Sequence, residues 1–285
     1  MMRNLAKMKR IKMLSFAKLC NQKKNFSRLS GVTLSEFLEI VRKVRPLWDK
    51  FVDSKKVSGR NSKIKSLEDE VLLVLVYYRF YVSFKFMEML FDLNESNVYR
   101  HIQRLEPMLA KVMNIPKKRD LTQSDLETIV IDATEIQIQR PTRKQRKFYS
   151  GKKKKHTQKV EIMVSQNGKI INVSKVFSGK THDFKIRKES DKIPIGVEVL
   201  ADSGYQGIHK LHKNSTLPHK RKRTQALTHE QKSHNKKLAS KRIIVEHVFA
   251  QLKKFKILGS IYRNHKRKLH LRFNIISGIH NLKFS

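Results

Sequence analysis

Thr128-Ile129-Val130-Ile131-Asp132 is a short apolar run that closes on a carboxylate. Four β-prone residues bounded by polar sequence spell a buried strand, and they leave Asp132 at its end. Two later stretches repeat this placing of an acid where a buried element meets water. One is Val197-Glu198-Val199-Leu200-Ala201-Asp202, followed by Ser203-Gly204-Tyr205; the other is Arg242-Ile243-Ile244-Val245-Glu246. A fold for this chain has to carry three acids on three separate elements.

Charge says what such acids are for. The 285 residues hold 63 Lys plus Arg against 24 Asp plus Glu, a formal net charge of +39. Such an excess repels itself in isolation, so it implies a polyanionic partner, most simply nucleic acid. Three acids in so basic a chain point to a metal site that handles phosphate. An apolar content of 39% allows a real core, and 31% charge argues against a membrane protein. The apolar residues of Met1 to Lys24 are broken by Lys7, Lys9, Arg10, Lys12 and Lys18, which leaves no signal-length or membrane-length run. Residues 1–30 are expected to be a disordered or loosely helical basic leader. The single cysteine, Cys20, excludes an internal disulfide framework and a Cys-rich zinc module, and suits a reducing cytoplasm.

Residues 31–120 read as helical. Thr33-Leu34-Ser35-Glu36 is a capping-box pattern, followed by Phe37, Leu38, Val41, Val44, Leu47 and Trp48 at helical spacing. Lys55 to Ser66, with Gly59, reads as a linker. A second block starts at Ser66-Leu67-Glu68-Asp69, its early acids suiting a helix N-terminus. A short helix at about 83–91 is followed by the turn Asp92-Leu93-Asn94 and a helix from Ser96 to Leu105. Within about 67–105, short helix, tight turn and second helix make a helix-turn-helix pattern. On this reading Ser96, Asn97, Arg100 and Arg104 face DNA, while Val98, Ile102 and Leu105 pack inward.

Beyond Pro116-Lys117-Lys118-Arg119-Asp120 the pattern turns to β, and residues 121–285 read as one α/β domain. Ile136 and Ile138 alternate with Gln137 and Gln139. Residues 143–159 hold nine Lys or Arg around Phe148-Tyr149, a charged loop whose aromatic pair could stack on bases or sugars. Asn167-Gly168 is a hairpin signal between two strands. His182-Asp183 opens a short helix, with Asp183 read as its N-cap. The histidines of residues 206–242 are scattered rather than set at ligand spacing, so that segment reads as solvated and DNA-facing. Thr228-x-x-Gln231 caps a long helix whose apolar stripe runs Leu238, Val245, Val248, Phe249, Leu252, Phe255. At about 100° per residue, Arg242, Glu246 and Lys253 fall within about 40° of one another. An apolar tail after Gly259 predicts a final helix.

Cleaving a phosphodiester requires an activated nucleophile, a stabilised leaving oxygen and charge relief at phosphorus. Two divalent ions about 4 Å apart supply all three, and hard carboxylate oxygens suit Mg²⁺. Carboxylates crowded into one pocket repel one another unless a cation neutralises them.

Several ordered blocks, spanning about residues 66–258, together resemble one family. They are Asp132-Ala133-Thr134-Glu135; Tyr149-Ser150-Gly151-Lys152-Lys153 with His156-Thr157; Gly179 with His182-Asp183; Ala201-Asp202-Ser203-Gly204-Tyr205-Gln206-Gly207; and Val245-Glu246-His247 with Leu252-Lys253. As a set they look like a DDE transposase of a bacterial insertion sequence, in the large IS-four/IS-five group. The resemblance implies an α/β catalytic domain with a ribonuclease H-like (retroviral-integrase-like) mixed sheet flanked by helices, preceded by an all-α helix-turn-helix domain. It implies Asp132, Asp202 and Glu246 as the catalytic triad holding two Mg²⁺ ions, with Mn²⁺ able to substitute. It implies double-stranded DNA as partner, both the terminal inverted repeats and the target, and a homo-oligomer to hold two ends, in a bacterial cytoplasm at the nucleoid. Two similar steps follow from it: hydrolysis frees a 3′-hydroxyl at each element end, and that hydroxyl attacks target DNA. Lys152, Lys153, Arg242 and Lys253 join the DNA-holding set. The family signature on the Glu helix begins with Tyr, where this chain has Ala239.

Rivals for the triad are Glu135, Asp183 and Glu198. A different reading of the chain is a DNA-binding protein that kept the fold and lost transposition; a third is a basic protein that coats nucleic acid, for which strand-acid units and amphipathic helices are unnecessary.

Overall fold

The computed structural model describes residues 14–54, 62–64, 66–116, 120–221 and 225–284. Most of the expected linker, Gly59 included, and the basic run 117–119 lie outside the described residues. The chain divides into two compact units, Met1–Val112 with Phe255–Ile257, and Met113–Lys254 with Leu258–Ser285. Among the described residues no helix is long and apolar enough to cross a membrane.

The first unit is helical: α1 (Phe16–Leu19), α2 (Lys23–Ser30), α3 (Leu34–Asp53), α4 (Leu67–Phe80), α5 (Phe84–Phe91) and α6 (Glu95–Val112). Within the expected leader, residues 16–19 and 23–30 are helical, and these helices are packed rather than loose. Phe26 is fully buried, and the Phe16 ring stacks on Phe37 at 5.2 Å. Aromatic burial of that size offsets the ordering entropy that basic composition alone suggested would win. The capping box is present at Thr33 and Glu36. α4 is buried on nearly every side, as its run Val71 to Tyr78 requires. α5 ends on Asp92 in the left-handed region, the chain turns over buried Leu93, and Asn94 accepts from the Ser96 N–H at 3.0 Å to start α6.

Ser96, Asn97 and Arg100 are exposed on α6. Arg104 is not. It turns inward to pair with Glu70 of α4, with its guanidinium 5.2 Å from the Trp48 ring centroid and 5.3 Å from that of Phe51. Glu70 is wholly buried, and an isolated carboxylate there would carry a large desolvation cost. Arg104, with His101 also on Glu70, supplies the counter-charge.

The second unit is built on a seven-stranded sheet: β1 (Thr128–Gln137), β2 (Tyr149–Ser150), β3 (Lys155–Ser165), β4 (Ile170–Val173), β5 (Phe177–Ser178), β6 (Glu198–Ala201) and β7 (Ser215–Thr216). The main path runs β2-β3-β1-β6-β7, with β4 and β5 pairing with β3. β1 is the hinge of the topology: antiparallel to β3, parallel to β6, while β6 is parallel to β7. The β3–β4 turn places Gly168 at φ +92°, the left-handed geometry that the Asn-Gly pair predicts. Helices α7 (Gln145–Phe148), α8 (Asp183–Lys188), α9 (His229–Lys253), α10 (Lys256–Gly259) and α11 (Lys268–Asn281) complete the chain. α9 opens with the expected capping box of Thr228 and Gln231. Ile129 and Ile131 of β1 pack with Met163, Val199, Ala201 and Tyr205 in one core, and α9 packs on β1 and β6.

Residues 143–159 are not a simple loop. They form α7 and a β2–β3 hairpin in which Tyr149 pairs with His156. The cap of α8 is also corrected: His182 occupies the N-cap, and Asp183 is the first helical residue.

Candidate active site

β1 delivers Asp132 because its first four residues are β-prone and buried between two neighbours, so the strand is fixed on both edges before the acid is reached. The parallel register pairs Ile131 with Ala201, so Asp132 and Asp202 follow paired residues on adjacent strands. The expected strand end at Asp132 is corrected: β1 runs on to Gln137 along β3, so Asp132 sits mid-strand where the pairing with β6 stops, and Asp202 lies one residue past the end of β6. Asp132 Oδ1 accepts from the Ala133 N–H at 2.8 Å, and Asp202 Oδ1 accepts from the Gly204 N–H at 2.7 Å, capping the tight turn Ser203–Tyr205.

Asp132 is pushed up from 3.8 to about 6, first by burial and further by the charges of Asp202 and Asp183. The Ala133 amide and Arg242 act the other way, but the Arg242 Nη2 stops 4.0 Å from Asp132 Oδ2. The carboxyl is therefore crowded by like charge and under-compensated by bases. Tyr205, fully buried beneath, is raised well above 10 by burial and by Glu161, Asp132 and Asp183.

Asp183 is the residue that sequence reasoning undervalued. A Cβ added at Gly204 would lie 2.8 Å from Asp183 Oδ2 and 2.9 Å from Asp202 Oδ1, so the two carboxylates flank that glycine and only glycine leaves them room. Lys159 meets Asp183 Oδ1 at 2.9 Å and lies 3.8 Å from Glu135. Glu135 also accepts from Thr157 Oγ1 at 2.7 Å, which ties it to β3. Glu198, at the start of β6, accepts from Thr128 Oγ1 at 3.0 Å.

α9 crosses this region with its basic residues. Lys253 is pushed down by burial and by Lys153, against the pull of Asp132 and Glu135, so the two lysines and two carboxylates share one neighbourhood. A cleft of about 450 Å³ opens there, lined by Glu135, Gln137, Lys153, Lys155 and Lys253 among others. Glu246 is an exposed residue of α9, between Arg242 and Lys253. Lys152 is exposed on the β2–β3 turn. Among the described residues no three His, Cys, Asp or Glu are gathered closely enough to hold a metal ion. The donor chemistry nonetheless fits a hard divalent cation, which would relieve the mutual repulsion that raises Asp132.

Sequence reasoning also passed over a buried ion pair beside the site. Glu161 of β3 meets Arg187 of α8 at 2.6 Å, and both are almost wholly buried. The acid stands inside Val160-Glu161-Ile162-Met163-Val164, an interruption that marks a buried partner.

The mixed sheet thus brings Asp132 of β1 and Asp202, just past β6, to one region beside a lysine-lined cleft. Comparison with known proteins gives the family: residues 131–281 match the DDE superfamily endonucleases, and residues 62–115 match the helix-turn-helix of DDE superfamily endonucleases. This chain belongs to the DDE superfamily of endonucleases. It is 38% identical over 267 residues to the probable transposase for insertion sequence element IS702 of Microchaete diplosiphon, covering 92% of this chain and 95% of that protein. It is 30% identical over 239 residues to the putative transposase for insertion sequence element IS112 of Streptomyces albus G, covering 82% and 81%. No solved structure matches the chain.

Proposed function

We propose that this enzyme is the transposase of a bacterial insertion sequence, which binds the ends of its element, cuts a DNA strand there and transfers the freed end to target DNA. The observation that carries the reading is the pair Asp132 and Asp202, each following the last paired residue of the parallel strands β1 and β6, with Asp132 held near 6 by burial and neighbouring acids. The names of the two relatives point the same way. The strand order, with β1 antiparallel to β3 and parallel to β6, supports a ribonuclease H-like catalytic domain.

Asp132, Asp202 and Glu246 are the residues assigned to hold two Mg²⁺ ions, or Mn²⁺ in their place. On a helix, Glu246 shares the flank of Arg242 and Lys253, both of which act on Asp132, so it falls on the side of α9 that serves the site. Divalent ions there would relieve charge at phosphorus and favour the ionised nucleophile. Arg242 and Lys253, with Lys152 and Lys153, hold the strand by its phosphates, which makes binding steeply salt-dependent. Ser96, Asn97 and Arg100 contact the element ends. Holding two ends at once calls for more than one copy of the chain, working in the cytoplasm at the nucleoid.

The test is a plasmid carrying the gene's own flanks, incubated with the protein in Mg²⁺, in EDTA and with Asp132→Asn, followed by mapping of new 3′ ends. Metal-dependent ends at the flanks, absent with the variant, are expected. Flank binding without cutting under any metal would replace this reading with that of a DNA-binding protein.

A further inference from the structure

Away from the carboxylates, the sheet unit holds a second concavity of about 750 Å³, formed around the β2–β3 hairpin. Tyr149 of β2 stands in register with His156 of β3, ring centroids 5.6 Å apart and planes at 71°. The histidine meets the tyrosine edge to face, and Tyr149 stays 41% exposed at the cavity wall. Beside it, a Cβ at Gly151 would meet nothing within 4 Å, so the wall has open space next to the ring.

The charge around this ring is of one sign. Arg140, Arg146 and Lys180 line the cavity, and none of the described lining residues is acidic. Arg140 is held rather than loose: its Nε donates to Gln145 Oε1 at 3.1 Å, which fixes the plane of a guanidinium suited to bidentate phosphate contact. An exposed ring, three cations and a volume in the range of small-ligand sites together ask for a planar π system joined to an anion. That is a nucleotide. In paired DNA both faces of each base are covered by its neighbours, so a ring at a cavity wall can stack only on a base that has left the helix.

Position separates this pocket from the cutting site. His156 lies six residues along β3 from Ile162, the register partner of Asp132. At about 3.4 Å per residue that is about 20 Å. A nucleotide seated there is not the one cut; it anchors its strand some way from the reacting phosphate. We propose that this cavity captures one unpaired nucleotide of the bound DNA, Tyr149 stacking on the base while Arg140, Arg146 and Lys180 hold its phosphate. The proposal rests on the DNA-handling reading above and adds a site to it.

The experiment uses the full chain in EDTA, so cutting plays no part. Affinities are measured for duplexes of one length: fully paired, with one unpaired thymidine at successive positions, and with an abasic residue in its place. Stacking of a base on an aromatic ring is worth about 1–3 kcal/mol, or about 5- to 150-fold. The unpaired thymidine is therefore expected to tighten binding about tenfold at one position. The abasic duplex and Tyr149→Ala should lose that gain and Tyr149→Phe keep it, with thermal midpoints of the variants matching the parent. Retention of the preference by Tyr149→Ala would overturn the proposal. So would competition by free thymidine monophosphate as strong as that of the bulged duplex, which would make the pocket a free-nucleotide site. Because the measurement needs neither metal nor cleavage, it stands or falls apart from the flank-cutting test.

Discussion

Two carboxylates in this molecule face the same problem and meet it in opposite ways. In the helical unit Glu70 is wholly buried, and the fold sets against it the imidazole of His101 and the guanidinium of Arg104, the latter packed over Trp48 and Phe51. In the sheet unit Asp132 is crowded by Asp202 and Asp183, and its nearest arginine stops at 4.0 Å. The first arrangement carries its own counter-charge within the fold. The second leaves a deficit of positive charge that only something bound can fill. In a chain with 63 Lys and Arg, a carboxylate left short of bases is a choice of geometry rather than a shortage of partners. Close pairing is the mark of a structural acid, and a raised carboxyl with only a distant base makes Asp132 the candidate for function.

The sharpest way to break this contrast is to neutralise each acid. Asp132→Asn should reduce strand cutting by about a thousandfold or more. It should leave the thermal midpoint in metal-free buffer unchanged or higher, because it removes a carboxyl whose ionised form the fold disfavours. A large drop in that midpoint would reclassify Asp132 as structural. Mg²⁺ should raise the midpoint of the parent protein and not that of the variant. Glu70→Ala should do the reverse and destabilise the fold by about 3 kcal/mol, because His101 and Arg104 lose their anion; urea unfolding followed by circular dichroism reads it.

Glu161 is the intermediate case, paired with Arg187 yet raised from 4.5 to about 7 by burial. Between those values the folded state keeps a proton that the unfolded chain has released, so stability falls as pH climbs from 4.5 through about 7. Unfolding free energies taken across that window should decline for the parent by on the order of 2 kcal/mol more than for Glu161→Gln, which keeps only the smaller decline contributed by Asp132 up to about pH 6. A parent profile that rises instead would show that Arg187 outweighs burial. The smallest effects separate the two arginines of α6. Arg100→Ala should lower the salt slope of DNA binding by about one with little change in stability. Arg104→Ala should lower stability and leave that slope alone.

The buried run before Asp132 was readable because burial and sequence period agree there, but not that β1 continues past it to Gln137 along β3. Ile129 to Ile131 could only be a central strand, and Asp132 had to follow. The cap at Thr228 and the turn at Gly168 were readable for the same reason: each rests on neighbours within four residues. Arg104 was misread because helical period puts it on the outer face, and nothing near it in sequence announces the buried Glu70 thirty-four residues earlier. That residues 16–30 pack as helices was missed because lysines dominate the composition while two phenylalanines decide the packing. Asp183 was set aside as a cap, since its nearness to Asp202 depends on a tertiary approach across Gly204. Long-range charge was the illegible part, and local pattern the legible one.

The register of the central sheet also orders events in time. β1 can pair with β3 as soon as about forty residues have been made, but its other edge waits for β6, with Thr128 opposite Glu198, and the covering helix α9 ends only at Lys253. Long loops close slowly, and the contacts they bring arrive last. A chain leaving the ribosome therefore carries folded helices and half a sheet well before Asp132 meets Asp202. The helical unit can thus be complete while the carboxylate pair is still unassembled.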